Sequence, residues 1–476
     1  MLYIESTFHI IFTLLLGFYL ISNLQWYNYK FQRVLFHHKK IHWHFIYFLL
    51  PIFVYYLFSK YIWLITPIYG LALFLWQKKI DKKVVFTKRV KRFFLFLILS
   101  AIFLDMLCLG MQKCEVYPTI LSLSIAFLAS FLFEKMLFLG YKKDAIKKLN
   151  SIENLIIITI TASYGKTSIK NFLYQILSKH FKTYKSPRSV NTLAGIIQDI
   201  NTSLPNDTQI YIVEAGARVK GDIKEIASLL NHQYAIVGKI GPQHIEYFKT
   251  LENIRDTKME ILESTRLKYA LVHQSANVKP NEKVQIFGQN ITNIKSTLKK
   301  LCFELEIENK RYHFTSSLLG EFNAINVTAA ILIAHKLGID LQDIQKDVEK
   351  LQGVEHRLQK IVAGGKIIID DSFNGNFDGM SSSYDLVKSH KGRKVIITPG
   401  VLESDEETNI KLAKKIDEIF DLVIITGSTN AKILDSNIQN SKKILLKDKS
   451  NLEETLSQNT KAGDLILFSN DAPTFM

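Results

Sequence analysis

Several short stretches put chemistry-bearing residues where a strand gives way to a turn or a helix. In "IIITITASYGKTSIK" (156–170) a β-branched run breaks into small residues, then Gly165-Lys166-Thr167, then a helical pattern. A turn of this kind exposes consecutive backbone N–H groups, and the helix N-terminus adds partial positive charge, so the two together cradle phosphate. Lys166 would reach the β- and γ-phosphates, and the Thr167 hydroxyl would sit on Mg²⁺. The template GxxxxGK[ST] wants glycine where Ile160 stands, so only Gly165, Lys166 and Thr167 match it. The preceding strand (156–160) and the helical spacing of Ile169, Phe172, Leu173, Ile176 and Leu177 favour ATP or GTP binding over a surface turn.

Four further places follow. "QIYIVEAGA" (209–217) ends a strand with Glu214, where phosphate-loop proteins put the acid that orients Mg²⁺. "IGPQHIEYF" (240–248) sets His244 just after the next strand; read alone it is an ordinary loop or core histidine. "LENIRDTKMEILE" (251–263) is a helix containing Lys258, which taken by itself is a solvated surface charge. "IIIDDSFNGNFDGM" (367–380) ends a strand with Asp370-Asp371 and polar turn residues able to hold a ribose or a divalent ion, or simply to cap a strand-to-helix turn.

These residues need a scaffold, and the spacing of apolar residues predicts one. Strand-like runs near 156–160, 210–214, 234–238 and 269–272 alternate with helical ones, and a second series follows near 366–370, 394–398, 422–426 and 464–468. Such alternation argues for α/β domains with mostly parallel sheets, whose ligands bind beyond the C-terminal strand ends. A helical stretch at 323–350 and "GVEHRLQK" separate the two series, which predicts an ATP-binding central domain at 146–355 and a Rossmann-like C-terminal domain at 356–476.

The first third is different. Of a net charge of +16 over 476 residues, residues 1–150 contribute 19 Lys/Arg against 6 Asp/Glu. Five apolar stretches lie there, about 7–24, 41–58, 61–76, 93–111 and 117–133, predicting a helical membrane domain at 1–145. The links "KFQRVLFHHKK" and "QKKIDKKVVFTKRVKR" are strongly basic and the intervening ones are not, so both basic loops and everything after residue 140 are expected in the cytoplasm. All four tryptophans fall at span ends, Asp105 lies mid-span, and "YKKDAIKKLN" (141–150) reads as a basic hinge. The basicity comes with no nucleic-acid-binding motif, which argues against DNA or RNA as a partner. Three cysteines, Cys108, Cys114 and Cys302, have no metal spacing and leave the soluble part without a disulfide framework.

The order TASYGKTS, VEAGA, IGPQHIEYF–LENIRDTKMEIL, LLGEFNAINVTAA, HRL and DDSFNGN resembles the Mur ligases over about residues 155–400. These are ATP-dependent, ADP-forming amide ligases that build the peptide of bacterial cell-wall precursors. The DDSFNGN and SVNTLAG (189–195) stretches are most similar to the branch that joins D-alanyl-D-alanine to a UDP-N-acetylmuramoyl-tripeptide. The resemblance implies ATP and Mg²⁺ as cofactors. It implies ATP binding by Thr161, Ser163, Tyr164, Gly165, Lys166, Thr167 and Ser168, with Asn323 near the adenine and Arg357 and Asp371 as nucleotide contacts from the C-terminal domain. Metal ligation would fall to Thr167, Glu214, His244 and Lys258 carrying a carbamate, catalysis to Lys166, Lys258 and His244, and substrate contact to Asn191, Thr192 and Asn374. It also implies the bacterial inner membrane as location, with the ligase domains in the cytoplasm and membrane-bound cell-wall enzymes as neighbours.

The chain departs from the family pattern at Ala162 (usually Gly), Phe322 (commonly His), Phe373 (Tyr) and Phe377 (Pro). A membrane segment also stands where the family has a soluble uridine-binding domain. Rival readings are another ligase of the superfamily, acting on folate, poly-glutamate or a lipid-linked precursor; an ATP-driven transporter, for which neither an LSGGQ-like signature nor an hhhhDE strand is present; and a membrane protein with a decayed ligase domain.

Overall fold

The computed structural model describes the chain apart from residues 1, 28, 30, 37–39, 81–82, 112–115, 188–189, 244, 374, 403 and 471–476. Its contacts divide it into two compact units, Met1–Gly140 and Tyr141–Met476.

The first unit is helical. Among the described residues three helices are long and apolar enough to cross a membrane: Ile4–Trp26 within α1 (Leu2–Trp26), Lys88–Gly110 within α2 (Lys88–Met111), and α3 (Thr119–Ser151). His42–Leu57 and Ser59–Lys78 form a pair bent by 108°, a fourth crossing only if the two arms count as one. This corrects the expectation of five spans. Phe58 leaves the helical region (φ −129°, ψ +41°), and the α-helices of the two arms, Leu50–Leu57 of 8 residues and Ile62–Lys78 of 17, fall short of the roughly 20 residues a spanning helix needs. The start and end of the pair meet again, with the rings of Trp43 and Trp76 6.1 Å apart. Trp76 is therefore buried against Tyr19 and Trp43 rather than sitting in an interfacial belt, whereas Trp63 is exposed. The expected hinge at 141–150 is also corrected, because α3 runs unbroken through it.

Asp105 is bonded inside the bundle, as expected, but to a partner that lies on another helix. His9 Nδ1 lies 3.0 Å from Asp105 Oδ2, His9 Nε2 lies 2.8 Å from Thr119 Oγ1, and Ser6 Oγ donates to Asp105 at 2.7 Å. A charge this deep in an apolar bundle is tolerated only when paired and hydrogen-bonded. Cys302 is a free thiol, while Cys108, near the end of α2, is disulfide-bonded.

The second unit holds three sheets. The first is parallel, with strands β1 (Ile156–Thr161), β2 (Thr183–Lys185), β3 (Ile210–Glu214), β4 (Tyr234–Val237), β5 (Tyr269–His273) and β6 (Val284–Phe287) in the order β2-β3-β1-β4-β5-β6. β1 is Ile- and Thr-rich, stiff at χ1 and buried on both faces, which suits a central parallel strand. β7 (Ile291–Ser296), β8 (Leu301–Ile307) and β9 (Lys310–Ser316) make a small antiparallel sheet that the α/β alternation did not predict. The third sheet runs β10-β11-β15-β12-β13-β14. Its strands are β10 (Gln359–Ala363), β11 (Lys366–Asp371), β12 (Lys394–Thr398), β13 (Leu422–Thr426), β14 (Lys442–Leu446) and β15 (Leu465–Ser469). Only β10 is antiparallel.

The helices that bear on the site are α4 (Lys166–Leu177), α5 (Leu193–Thr202), α6 (Leu251–Met259), α7 (Phe322–Lys336) and α8 (Phe377–Lys388). α4 buries Ile169, Phe172, Leu173, Ile176 and Leu177 against β1, β3 and α7. α7 is buried on nearly every side, and its alanines at 324, 329, 330 and 334 let neighbouring backbones approach. Because β1 pairs with β3 on one side and β4 on the other, the chain changes winding direction at the end of β1, which opens a crevice there.

Candidate active site

The crevice at the end of β1 is where the phosphate-cradle residues lie. Gly165 precedes α4 with φ +81°, a left-handed conformation that favours glycine, and an added Cβ would lie 2.4 Å from Asn326 Oδ1 of α7. Ala162 fits where the family pattern has glycine because Gly238 faces it: a Cβ on Gly238 would come within 2.9 Å of the Ala162 methyl. Ser163 ties the turn to the next loop, accepting from Gly241 N at 3.0 Å and donating to Gly241 O at 2.9 Å. The Thr161 hydroxyl, fully buried at the strand end, has no hydrogen-bond partner among the described residues.

Lys166 curls over the turn. Its Nζ donates to Ala162 O (2.7 Å), Ser163 O (3.3 Å) and Gln243 Oε1 (3.3 Å). Burial is the main cause that pushes its pKa down to about 8; Glu214 opposes the shift and Arg357 adds to it. In the next position Thr167 Oγ1 donates to Glu214 Oε2 at 3.0 Å, and Ser168 is buried in the same first turn. Glu214 also accepts from Asn191 Nδ2 at 3.3 Å and is ion-paired with Lys170 at 3.3 Å. Lys170 was missed from sequence. The signal was there, since it lies one turn after Lys166, one turn before Leu173 and two before Leu177, on the apolar side of α4.

Lys258, on α6, is buried. Burial, and then the charge of Lys166, drives its pKa well below the usual lysine value. No described residue hydrogen-bonds or ion-pairs with its amine, so this is not a solvated surface charge. Thr192 caps α5, its hydroxyl accepting from Gly195 N at 3.3 Å. The Asn323 side chain is satisfied internally, donating to Leu319 O at 2.7 Å and accepting from Asn326 at 3.0 Å. Tyr164 is half-buried, and burial followed by the charge of Asp378 raises its pKa to about 12.

From the connection leading into β10 comes Arg357, half-buried and near enough to depress the pKa of both Lys166 and Lys170. It sits in a strained connection: His356 and Leu358 have φ of +59° and +54°. His356 Nδ1 pins that connection to Asp370 Oδ2 at 2.6 Å, another contact missed from sequence. Asp371 is buried and accepts from Ser383 Oγ of α8. His244 and Asn374 lie outside the described residues.

The structure thus gathers Lys166, Thr167, Glu214, Asn191, Lys258 and Arg357 about the end of β1. Lys166, Lys170 and Arg357 gather about the Glu214 carboxylate, with Lys258 close enough to Lys166 to feel its charge, an environment made for a multiply charged anion. No group of three His, Cys, Asp or Glu among the described residues could hold a metal by itself. One carboxylate and one hydroxyl 3.0 Å apart do fit Mg²⁺, which usually takes one or two carboxylates and completes its shell with phosphate and water.

Residues 160–334 match the model of the Mur ligase middle domain. The UDP-N-acetylmuramoyl-tripeptide–D-alanyl-D-alanine ligase of Bacillus subtilis is 26% identical over 334 residues, covering 66% of this chain and 72% of that protein. A crystal structure of MurF from Acinetobacter baumannii superposes with a TM-score of 0.64 at 23% identity, covering 70% of this chain and 78% of that one. The MurF ligase of Thermotoga maritima in complex with ADP gives a TM-score of 0.61 at 22% identity, covering 70% and 80%. Residues 160–334 therefore match a Mur ligase middle domain, and the ligase unit has the Mur ligase fold.

Proposed function

We propose that the chain is an ATP-dependent, ADP-forming amide ligase of peptidoglycan-precursor synthesis that joins D-alanyl-D-alanine to the carboxylate of a UDP-N-acetylmuramoyl-tripeptide. The observation that carries this is the cluster at the end of β1, a lysine-capped phosphate turn beside a buried lysine with no partner among the described residues. The name of the Bacillus subtilis relative supports the substrate pair, and the ADP in the Thermotoga maritima structure supports ATP use.

A carboxylate resists attack by an amine until it is activated. In this reading the peptide carboxylate takes the γ-phosphoryl group of ATP, giving an acyl phosphate and ADP; the amine of D-alanyl-D-alanine then displaces phosphate. The protein's part is positioning and charge. The turn Ser163–Ser168, with Thr161, orients the triphosphate, and Lys166 leaves its carbonyl partners for the γ-phosphoryl oxygens. Thr167 and Glu214 would hold Mg²⁺ with His244, while Lys170 balances Glu214. Mg²⁺ bound there would offset the negative charge of the phosphates. Burial and the charge of Lys166 favour the neutral amine of Lys258, the form that can add to CO₂ and become a carbamate completing the metal site. Asn191, Thr192 and Asn374 would face the peptide substrate; Asn323, Arg357 and Asp371 would serve the nucleotide, with 146–355 and 356–476 as the two working domains.

We place the ligase unit on the cytoplasmic side of a bacterial inner membrane, near membrane-bound cell-wall enzymes. The return of both ends of the bent pair to one face supports putting the two basic loops on one side. The disulfide at Cys108 supports an oxidising compartment at the opposite end of α2. The test is phosphate release by the purified full chain. It should require ATP and both substrates, and Lys166→Ala should abolish it. Equal release with folate or glutamate substrates, or normal turnover in Lys166→Ala, would overturn the assignment.

A further inference from the structure

The rim of the first unit at the start of α2 combines two features that sequence charge alone does not join. The first is gathering. Gln25, at the end of α1, exchanges two hydrogen bonds with the backbone of Val85, Nε2 donating to Val85 O and Oε1 accepting from Val85 N, both at 2.8 Å. Arg89 stacks on Tyr29 at 3.6 Å, and Trp43 packs beside Trp76. The end of α1, both ends of the bent pair and the start of α2 therefore share one rim. It carries Lys40, Lys78, Lys79, Lys83, Lys88 and Lys91, all exposed. Among the described acids of this unit, Glu134 alone reaches the rim, and Arg92 already holds it at 2.6 Å.

The second feature is exposed apolar surface within this charge. Val85 and Phe86 are 63% and 56% exposed, in an irregular segment whose backbone Gln25 pins at Val85. Phe74, 55% exposed, lies under the Lys78 amine at 4.6 Å. Lysines stacked on rings, around apolar side chains held outward, match a headgroup boundary, where stems and rings meet acyl chains and ammonium groups meet phosphate.

We propose that this rim is a binding surface for anionic phospholipid headgroups, with Val85 and Phe86 inserted at the acyl boundary and Lys78, Lys79, Lys83, Lys88 and Lys91 on lipid phosphates. The proposal rests on the membrane reading of the first unit but not on the ligase reaction. Full chain reconstituted in nanodiscs of mixed phosphatidylcholine and phosphatidylglycerol, then released and weighed by native mass spectrometry, should retain phosphatidylglycerol over phosphatidylcholine. Each lysine removed should cut the preference by about fivefold, so Lys79→Gln/Lys83→Gln/Lys88→Gln should nearly erase it. Val85→Ser/Phe86→Ser should reduce retention of both lipids. Folding of the variants is checked by circular dichroism and elution volume. No preference in the wild type, or a preference untouched by the triple substitution, overturns the proposal, as does salt-sensitive capture of an acidic protein by the rim without lipid selectivity. Failure of the wild type to enter nanodiscs at all would instead overturn the membrane reading.

Discussion

Replacing Lys170 by methionine should destabilise the ligase unit more than any surface lysine, although the residue touches no solvent. Its amine lies 3.3 Å from Glu214 Oε2, and the two side chains are 1% and 3% exposed. Methionine keeps most of the stem but leaves the Glu214 carboxylate buried with two neutral donors, Thr167 and Asn191, at 3.0 and 3.3 Å. Removing one partner of a buried pair costs about 3–5 kcal/mol, and the two remaining donors put this site at the lower end, about 3 kcal/mol. At about 2–4 °C per kcal/mol for a large domain, the thermal midpoint should fall by about 6–12 °C. Converting Glu214 to glutamine as well removes the stranded charge, so Lys170→Met/Glu214→Gln should be milder than the sum of the single changes, with a coupling of about 2 kcal/mol. The assay is melting of the full chain in detergent, followed by near-ultraviolet circular dichroism, for the wild type, both singles and the double. A midpoint for Lys170→Met within about 2 °C of wild type, or additive single changes, would refute the reasoning.

Two more outcomes follow from the same cluster. Lys258→Ala should lose most activity and regain part of it with added short-chain carboxylates, whereas Lys258→Arg should not be rescued because its cation fills the space; full activity of Lys258→Ala in CO₂-depleted buffer would return the residue to a packing role. For Lys166, the folded value near 8 lies below the ordinary 10.5, so the nucleotide-free fold gains stability as pH rises between these values, where the unfolded chain holds the extra proton. A triphosphate favours the charged amine, so ATP binding near about pH 9 should take up as much as one proton, and near about pH 7 almost none. Calorimetry in buffers of different ionisation enthalpy reads this directly, and binding without proton uptake at the higher pH would count against Lys166 as the phosphate cation.

Local order settled much of this protein in advance. The eight strands expected from β-branched runs form at their expected places, because a parallel strand buried on both faces needs an unbroken apolar segment that a short window reveals. The phosphate turn was legible for a similar reason, since Gly165, Lys166 and Thr167 act through a strand end and a helix start adjacent in sequence. What tertiary structure alone decided depends on residues far apart in the chain. Lys170 is a surface lysine by composition and becomes buried only because Glu214, 44 positions later, folds against it. His9 and Asp105 lie on different helices 96 positions apart, so no spacing rule connects them. The strands of the antiparallel sheet β7–β9 bury one side only, a weak signal beside long helical patterns. The bend that makes one pair of the apolar stretches 41–58 and 61–76 was likewise beyond the sequence. Hydropathy records how apolar a segment is, while the aromatic packing of Trp43, Tyr19 and Trp76 determines that both ends return to the same face.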